Sequence, residues 1–457
     1  MATTKSASWL AMLAMLAALC MSSHAFTPSL HRAVFSPTSN FCARSPRLAP
    51  CRVPRLRMTS DSAGSVDRQA IVDEVSALRA SLIKSELKEL GIDCSDLFEK
   101  NELVERLVLS RMERASAKEK GERKAGAVEA LRKFGGGVNV PLKRLRAREG
   151  TLGSHVRVDE KDYYAIELSF PNFEGVRADF VVDSAASNSI LAPAFSARVK
   201  APPTGVTATA SAGTASGGGL KQVSLGRVQL GGQGDMECGT LEPIVMELPV
   251  QEDVGGLVGL DFLRRFHLFL DFQECSAVFL PPASITSSNE GARILGEDLG
   301  LVPVPLFYLP PPAGLYFCKV RLSTGSAESA TLTAVVDLGS TFTIVNTQAI
   351  QSMGISEGDP RLRMTDQVIS GAAVPGQAYT PIRVSETTAT VKIGGMAGKG
   401  VVNMGEHRIC VADLPAFAML GIGGPAMIVG LDVLAEGVQS RQLSLDVAQN
   451  TLWLPSR

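Results

Sequence analysis

The sequence predicts a mainly β protein, two duplicated lobes preceded by a small α-helical module. Three observations carry this. The segment Val181-Val182-Asp183-Ser184-Ala185-Ala186-Ser187 is echoed by Val335-Val336-Asp337-Leu338-Gly339-Ser340-Thr341. Each is followed by an apolar-apolar-Gly element, Leu257-Val258-Gly259-Leu260-Asp261 and Ile428-Val429-Gly430-Leu431-Asp432. Each copy then closes on a strand-like run holding an acid, Leu268-Phe269-Leu270-Asp271 and Leu443-Ser444-Leu445-Asp446. Three matched segments in the same order mark an internal duplication.

Length and charge fit this reading. A chain of 457 residues has room for two or three domains. Its net charge of -1 gives no large field that would favour nucleic acid as the main partner. Glycine is abundant, at 43 residues, and aromatics make up 5%, which suits turn-rich β structure.

Residues 1–60 read as a targeting region. A short apolar run from Trp9 to Cys20 follows Lys5 and ends near Ser22-Ser23-His24-Ala25, the layout of a signal peptide. The run is too short for a membrane span, so the mature chain is expected to carry no stable membrane anchor. Phe26-Thr27-Pro28 then opens a stretch rich in Arg and Ser, with no acid before Asp61. This order resembles the bipartite presequence of algae with complex plastids, a signal peptide plus a plastid transit peptide, and implies a plastid location. The alternative is a secreted or lumenal protein with a basic propeptide.

Residues 70–113 carry helical spacing. Val75, Leu78, Leu82, Leu87 and Leu90 recur at intervals of three to five, and Gly91 stops the run. Leu103, Leu107 and Val108 mark a second amphipathic helix. With the loop from Leu90 to Val104, the pair resembles a SAP-like domain, in the variant found at the C-terminus of mesencephalic neurotrophic factors. That resemblance implies a DNA or protein partner; the plainer reading is a packing or tethering module. Residues 114–155 are rich in Lys, Arg, Glu and Gly and read as a solvated helix and charged linker.

The lobes are expected over 156–285 and 300–457. Tyr163–Phe170 and Val176–Val182 flank Pro171, Asn172 and Gly175 as a β-hairpin. The second lobe repeats this with strands around Leu315–Leu322 and Thr331–Val336. Ala212 to Leu220 reads as a glycine-rich flap tip, and no Tyr or Trp lies between Phe180 and Gly256.

A strand running into an Asp loop, with an apolar-apolar-Gly element downstream, resembles the aspartic protease family, in its retropepsin-like and pepsin-like branches. The resemblance covers both lobes. It implies an aspartic endopeptidase that needs no metal or cofactor, with Asp183 and Asp337 as the catalytic pair and a polypeptide in the cleft between lobes. Two carboxylates about 3 Å apart cannot both ionise, so one keeps a proton while the other serves as base. The active-site loops would be Ser184, Ala185 and Ala186 in one lobe and Leu338, Gly339 and Ser340 in the other. The family loop reads Asp-Thr-Gly. Ser184 keeps the hydroxyl that locks the lobes, and Leu338 loses it. Ala185 adds a methyl where the family has glycine. These departures support a second reading, an inactive pseudoprotease that binds peptides or acts as a scaffold in the plastid.

Other chemistry finds little footing. His155, His267 and His407 are isolated, and no Cys-x-x-Cys spacing occurs. Gly394 to Gly400 lacks the Ser or Thr that a phosphate loop carries after its Lys, and reads as a hairpin turn.

Overall fold

The computed structural model describes residues 68–97, 99–146, 162–212, 215–231, 236–248, 254–282, 285, 288–310, 313–325, 327–356, 358–369, 382–394, 400–436 and 441–455. The targeting region and His155 lie outside them.

Three helices open the described chain: α1 (Arg68–Ala77), α2 (Ala80–Glu89) and α3 (Lys100–Gly135). The apolar spacing predicts one helix up to Gly91. The structure breaks it at Leu78 and Arg79, where Arg79 is extended. The break lets Val75, Ile83 and Leu87 all bury against Leu103 and Leu107 of α3. It also turns Leu82 outward, 55% exposed, although Leu82 belongs to the apolar run. Gly91 does end α2. Its φ of 71° is left-handed, and Ile92 N–H closes back on Leu87 O at 2.9 Å. Arg111 on α3 clamps Glu86 of α2 through two bonds of 2.7 Å and reaches Glu74 of α1 at 2.8 Å.

The charged stretch after residue 113 is less solvated than its composition predicts. α3 runs on to Gly135, and Ala127 and Leu131, one turn apart, bury against Phe269, Val278, Leu280 and Trp453. Two apolar positions at i and i+4 seat a helix that is otherwise charged, which average composition hides. The chain then enters the sheets as β1 (Val138–Pro141) and β2 (Lys143–Arg146).

The first lobe follows with β3 (Asp162–Phe170), β4 (Val176–Val182), β5 (Ile190–Leu191), β6 (Pro203–Ala212) and β7 (Ala215–Val223). It continues through β8 (Gly226–Leu230), β9 (Met236–Leu241), β10 (Ile244–Val245), β11 (Gly256–Val258), β12 (His267–Asp271) and β13 (Ser276–Leu280). The predicted hairpin is β3–β4, and its second strand has the predicted bounds. The predicted flap is the β6–β7 hairpin, whose tip, 213–214, is outside the described residues.

The second lobe holds β14 (Leu301–Pro305), β15 (Phe307–Leu309), β16 (Leu315–Thr324), β17 (Ala327–Glu328), β18 (Leu332–Val336) and β19 (Ile344–Val345). After them come β20 (Arg363–Ile369), β21 (Ile382–Ile393), β22 (Val402–Val411), β23 (Ala426–Val429), β24 (Gln442–Asp446) and β25 (Thr451–Pro455). The Gly394–Gly400 stretch joins β21 to β22, with 395–399 outside the described residues.

The duplication is visible in the pairing. β11 runs parallel to β4 and antiparallel to β5; β23 runs parallel to β18 and antiparallel to β19. β5 pairs in parallel with β10, and β19 with β22. A third sheet, in the order β1-β13-β12-β24-β25-β14, takes strands from both halves of the chain. Its centre is the β12–β24 pair, where His267 faces Asp446 and Asp271 faces Gln442. All four are buried. His267 Nε2 lies 2.5 Å from Ser444 Oγ, and its Nδ1 is 3.2 Å from Asp446 Oδ2, a charge contact rather than an aligned hydrogen bond. Gln442 donates to Asp271. These acids stitch the seam between the lobes, the structural role their strand positions predict.

Candidate active site

Each aspartate is delivered by the strand before it. β4 buries Phe180 and Val182 and ends at Asp183; β18 buries Ala334 and Val336 and ends at Asp337. The neighbouring parallel strand then fixes the loop. Asp183 N–H donates to Val258 O and Asp337 N–H to Val429 O, both at 3.0 Å. Past the loop, Leu260 N–H donates to Ala186 O and Leu431 N–H to Ser340 O, both at 2.8 Å. Ser340 Oγ donates to Phe342 O at 2.8 Å, which tightens its own turn.

Gly259 and Gly430 explain the apolar-apolar-Gly signature. A Cβ on Gly259 would come within 2.7 Å of Ala186 O, and one on Gly430 within 2.4 Å of Phe342 O. Only glycine lets the aspartate loop pass this close. Behind each loop stands a matched buttress. Ser189 Oγ donates to Asp261 Oδ1 at 2.7 Å and accepts from Gly259 N–H at 3.1 Å. Thr343 Oγ1 donates to Asp432 Oδ1 at 2.6 Å and accepts from Gly430 N–H at 2.9 Å. Asp261 and Asp432 serve two purposes at once. Each accepts from the next amide, Phe262 or Val433, and also holds the loop's support.

The two loops meet. Ser184 Oγ donates to Val336 O at 2.7 Å and accepts from Leu338 N–H at 3.1 Å, so one hydroxyl of the first loop bonds the second loop twice. Leu338 returns no such bond. Its side chain is 2% exposed and belongs to the main hydrophobic core. Gly339 is where the backbone touches the opposite acid: a Cβ there would lie 2.5 Å from Asp183 Cγ. Ala185, the matching residue of the first loop, carries its methyl partly buried against the same core.

All eight residues singled out from sequence therefore lie at one junction. Asp183 Oδ1 accepts from Ala185 N–H at 2.8 Å, and Asp337 Oδ1 from Gly339 N–H at 2.8 Å. The Asp183 carboxyl lies against Gly339, two residues past Asp337, so the two loops bring the acids together. Both keep some contact with solvent, yet dense protein surrounds them on the inner side. Burial pushes Asp183 up to about 6, against the pull of neighbouring amides. Burial, and next the charge of Asp183, drive Asp337 well above the usual carboxylate range. The pair therefore titrates as a unit, with both carboxyls pushed toward their protonated forms.

One neighbour escapes the sequence reading. Tyr163 on β3 stands level with Asp183 in the β3–β4 register and lies close enough to feel both charges. Burial, then the charges of Asp337 and Asp183, push it up to about 12. The search for an aromatic over the dyad looks to the flap, where none occurs; the hairpin symmetry of β3 and β4 is the signal that points to Tyr163. Among the described residues no cluster of three His, Cys, Asp or Glu side chains suits a metal.

Residues 171–262 match the family model described as aspartyl protease, which relates the first lobe to that family. No curated protein matches the sequence. Among solved structures, basic 7S globulin from soybean is 9% identical, with a TM-score of 0.36, covering 70% of this chain and 95% of its own. Conglutin gamma, a basic 7S globulin from lupine seeds, is 10% identical with a TM-score of 0.35 and the same coverage.

Proposed function

We propose that the chain is an aspartic endopeptidase whose dyad is Asp183 and Asp337. The observation that carries this reading is the meeting of two matched loops: each carboxyl accepts from the amide two residues on, and Gly339 of the second loop lies against the Asp183 carboxyl. Water between them is polarised from both sides. Asp183, the more acidic member, takes a proton from the water as its oxygen attacks the peptide carbonyl carbon. Asp337 gives its proton to the carbonyl oxygen. Collapse of the tetrahedral intermediate breaks the C–N bond; the proton held by Asp183 passes to the leaving amine, and one hydroxyl of the intermediate returns its proton to Asp337 as the acid product forms. The substrate is an extended polypeptide lying between the lobes, held by strand pairing to a flap. Because Asp183 titrates near 6, activity lies closer to neutral pH than a dyad of two ordinary carboxyls would allow.

A second reading, a peptide-binding pseudoprotease, is favoured by one observation: Leu338 fills the position of a locking hydroxyl with an apolar side chain. In either case the three-helix module serves as an interaction appendage, in a plastid protein. The deciding experiment incubates the full-length chain with an unbiased peptide library between about pH 3 and pH 8. Asp183→Asn and Asp337→Asn run beside it. Cleavage by the wild type that both variants lose supports the peptidase. Peptide retention without cleavage supports the binding module.

A further inference from the structure

We propose that Tyr308 and Tyr316 form an aromatic ledge beside the first aspartate loop, and that the ledge takes an aromatic side chain of the bound polypeptide. This rests on the reading of the cleft as a polypeptide site and adds the class of side chain it selects.

The ledge begins with strand alternation. In the β15–β16 pair Phe307 stands opposite Phe317, Tyr308 opposite Tyr316 and Leu309 opposite Leu315. Phe307 and Leu309 pack on the main core, and Phe307 stacks on Phe317 with ring centroids 5.8 Å apart. Successive side chains of a strand point to opposite faces, so Tyr308 is turned the other way. There it meets Tyr316, at 5.0 Å between centroids and 45° between ring planes. Tyr316 is half-buried against the core and forms the floor, while Tyr308 is 43% exposed. Rings of this kind offer a large contact area and lose little freedom when a third ring packs on them.

The ledge lies at the dyad. The turn after Leu309 brings Gly314 against the first aspartate loop. A Cβ on Gly314 would lie 3.4 Å from Ser187 Cβ, four residues past Asp183, and 4.0 Å from the Tyr308 hydroxyl. Ring and loop thus meet at one glycine, whose φ of 61° is left-handed. A chain laid between the lobes to reach Asp183 passes the exposed ring.

The other half of the duplication lacks this ledge. Ala165 faces Val181 and Phe317 faces Val335, and each valine stands two residues before its aspartate. Tyr316 therefore holds the place of Tyr164, and Tyr308 the place of Arg144, which pairs with Tyr164. Tyr164 is 8% exposed and packs its ring on Phe272, at 4.7 Å. The first lobe has a buried ring and a cation there; the second has an open aromatic pair. The aromatic preference should accordingly fall on one side of the scissile bond only.

The test measures peptide retention by the full-length chain carrying Asp183→Asn, so that nothing is cut, with Tyr308→Ala or Tyr308→Phe added. The probe is a decapeptide library in which one position at a time is Phe or Ala and the others are mixed. Phe at one position should raise retention about tenfold over Ala, the effect of packing a ring on two others. Tyr308→Phe should keep that ratio, and Tyr308→Ala should bring it close to one. A ratio as high in Tyr308→Ala as in its parent, no preference at any position, or no retained peptide at all would overturn the proposal. Cleavage by the chain that keeps Asp183 decides the dyad separately. With no cleavage and the Phe ratio intact, the peptidase reading fails and the ledge stands.

Discussion

Replacing Ser184 by alanine tests the junction of the two loops most directly. The side chain is 4% exposed, and its single hydroxyl makes two bonds across the lobes, to Val336 O at 2.7 Å and from Leu338 N–H at 3.1 Å. Alanine removes both and leaves a carbonyl and an amide orphaned among residues that are 4% and 2% exposed. Each orphaned group costs about 1–3 kcal/mol, so the expected loss is about 2–6 kcal/mol. A loop with the hydroxyl on both sides would share this load; here Leu338 returns no bond. Threonine at 184 keeps the hydroxyl and should stay within about 1 kcal/mol of wild type. Urea unfolding gives the total, and amide exchange at Leu338 gives the local part. Exchange there should speed up more than tenfold in Ser184→Ala and remain near wild type in Ser184→Thr. A stability loss below about 0.5 kcal/mol with unchanged exchange at Leu338 would refute the reasoning.

Three further outcomes follow from the same geometry. Gly339→Ala puts a Cβ 2.5 Å from Asp183 Cγ, so loop and acid must part by about 1 Å, and kcat should fall about a hundredfold; wild-type turnover would show that the loops do not touch as described. Asp183 is raised from 3.8 to about 6, so the folded chain holds a proton that the unfolded chain has released between those values, and stability falls as pH rises through that window. Asp337 is raised as well, so Asp337→Asn, which has no proton to lose there, should lose less stability than wild type between about pH 3 and pH 7.5; urea midpoints at both pH values check the sign. Leu338→Thr gives up about 2 kcal/mol of leucine burial and recovers about 1 kcal/mol from the restored lock, so it should lose about 1 kcal/mol overall without losing activity. A more stable variant would show that Leu338 is not a core residue.

The sequence by itself determined the β class, the duplication and the identity of both acids. Its markers are local. A strand must be apolar to be buried on both faces, and the Asp that follows it inherits a fixed place at its end. Gly259 and Gly430 are equally legible, because a loop that passes a strand at under 3 Å tolerates no Cβ. What the sequence misjudged was decided by contacts between distant segments. Leu82 keeps helical spacing yet faces solvent, because the break at Leu78 and Arg79 re-aims α2 toward α3. The helix after residue 113 is seated rather than solvated, because Ala127 and Leu131 find Phe269 and Trp453 more than a hundred residues away. Ser184 could be read as a lock, but not as the sole hydroxyl bonding both Val336 and Leu338. Its partners lie 152 and 154 residues along the chain, and only the folding of one lobe against the other brings them to its hydroxyl.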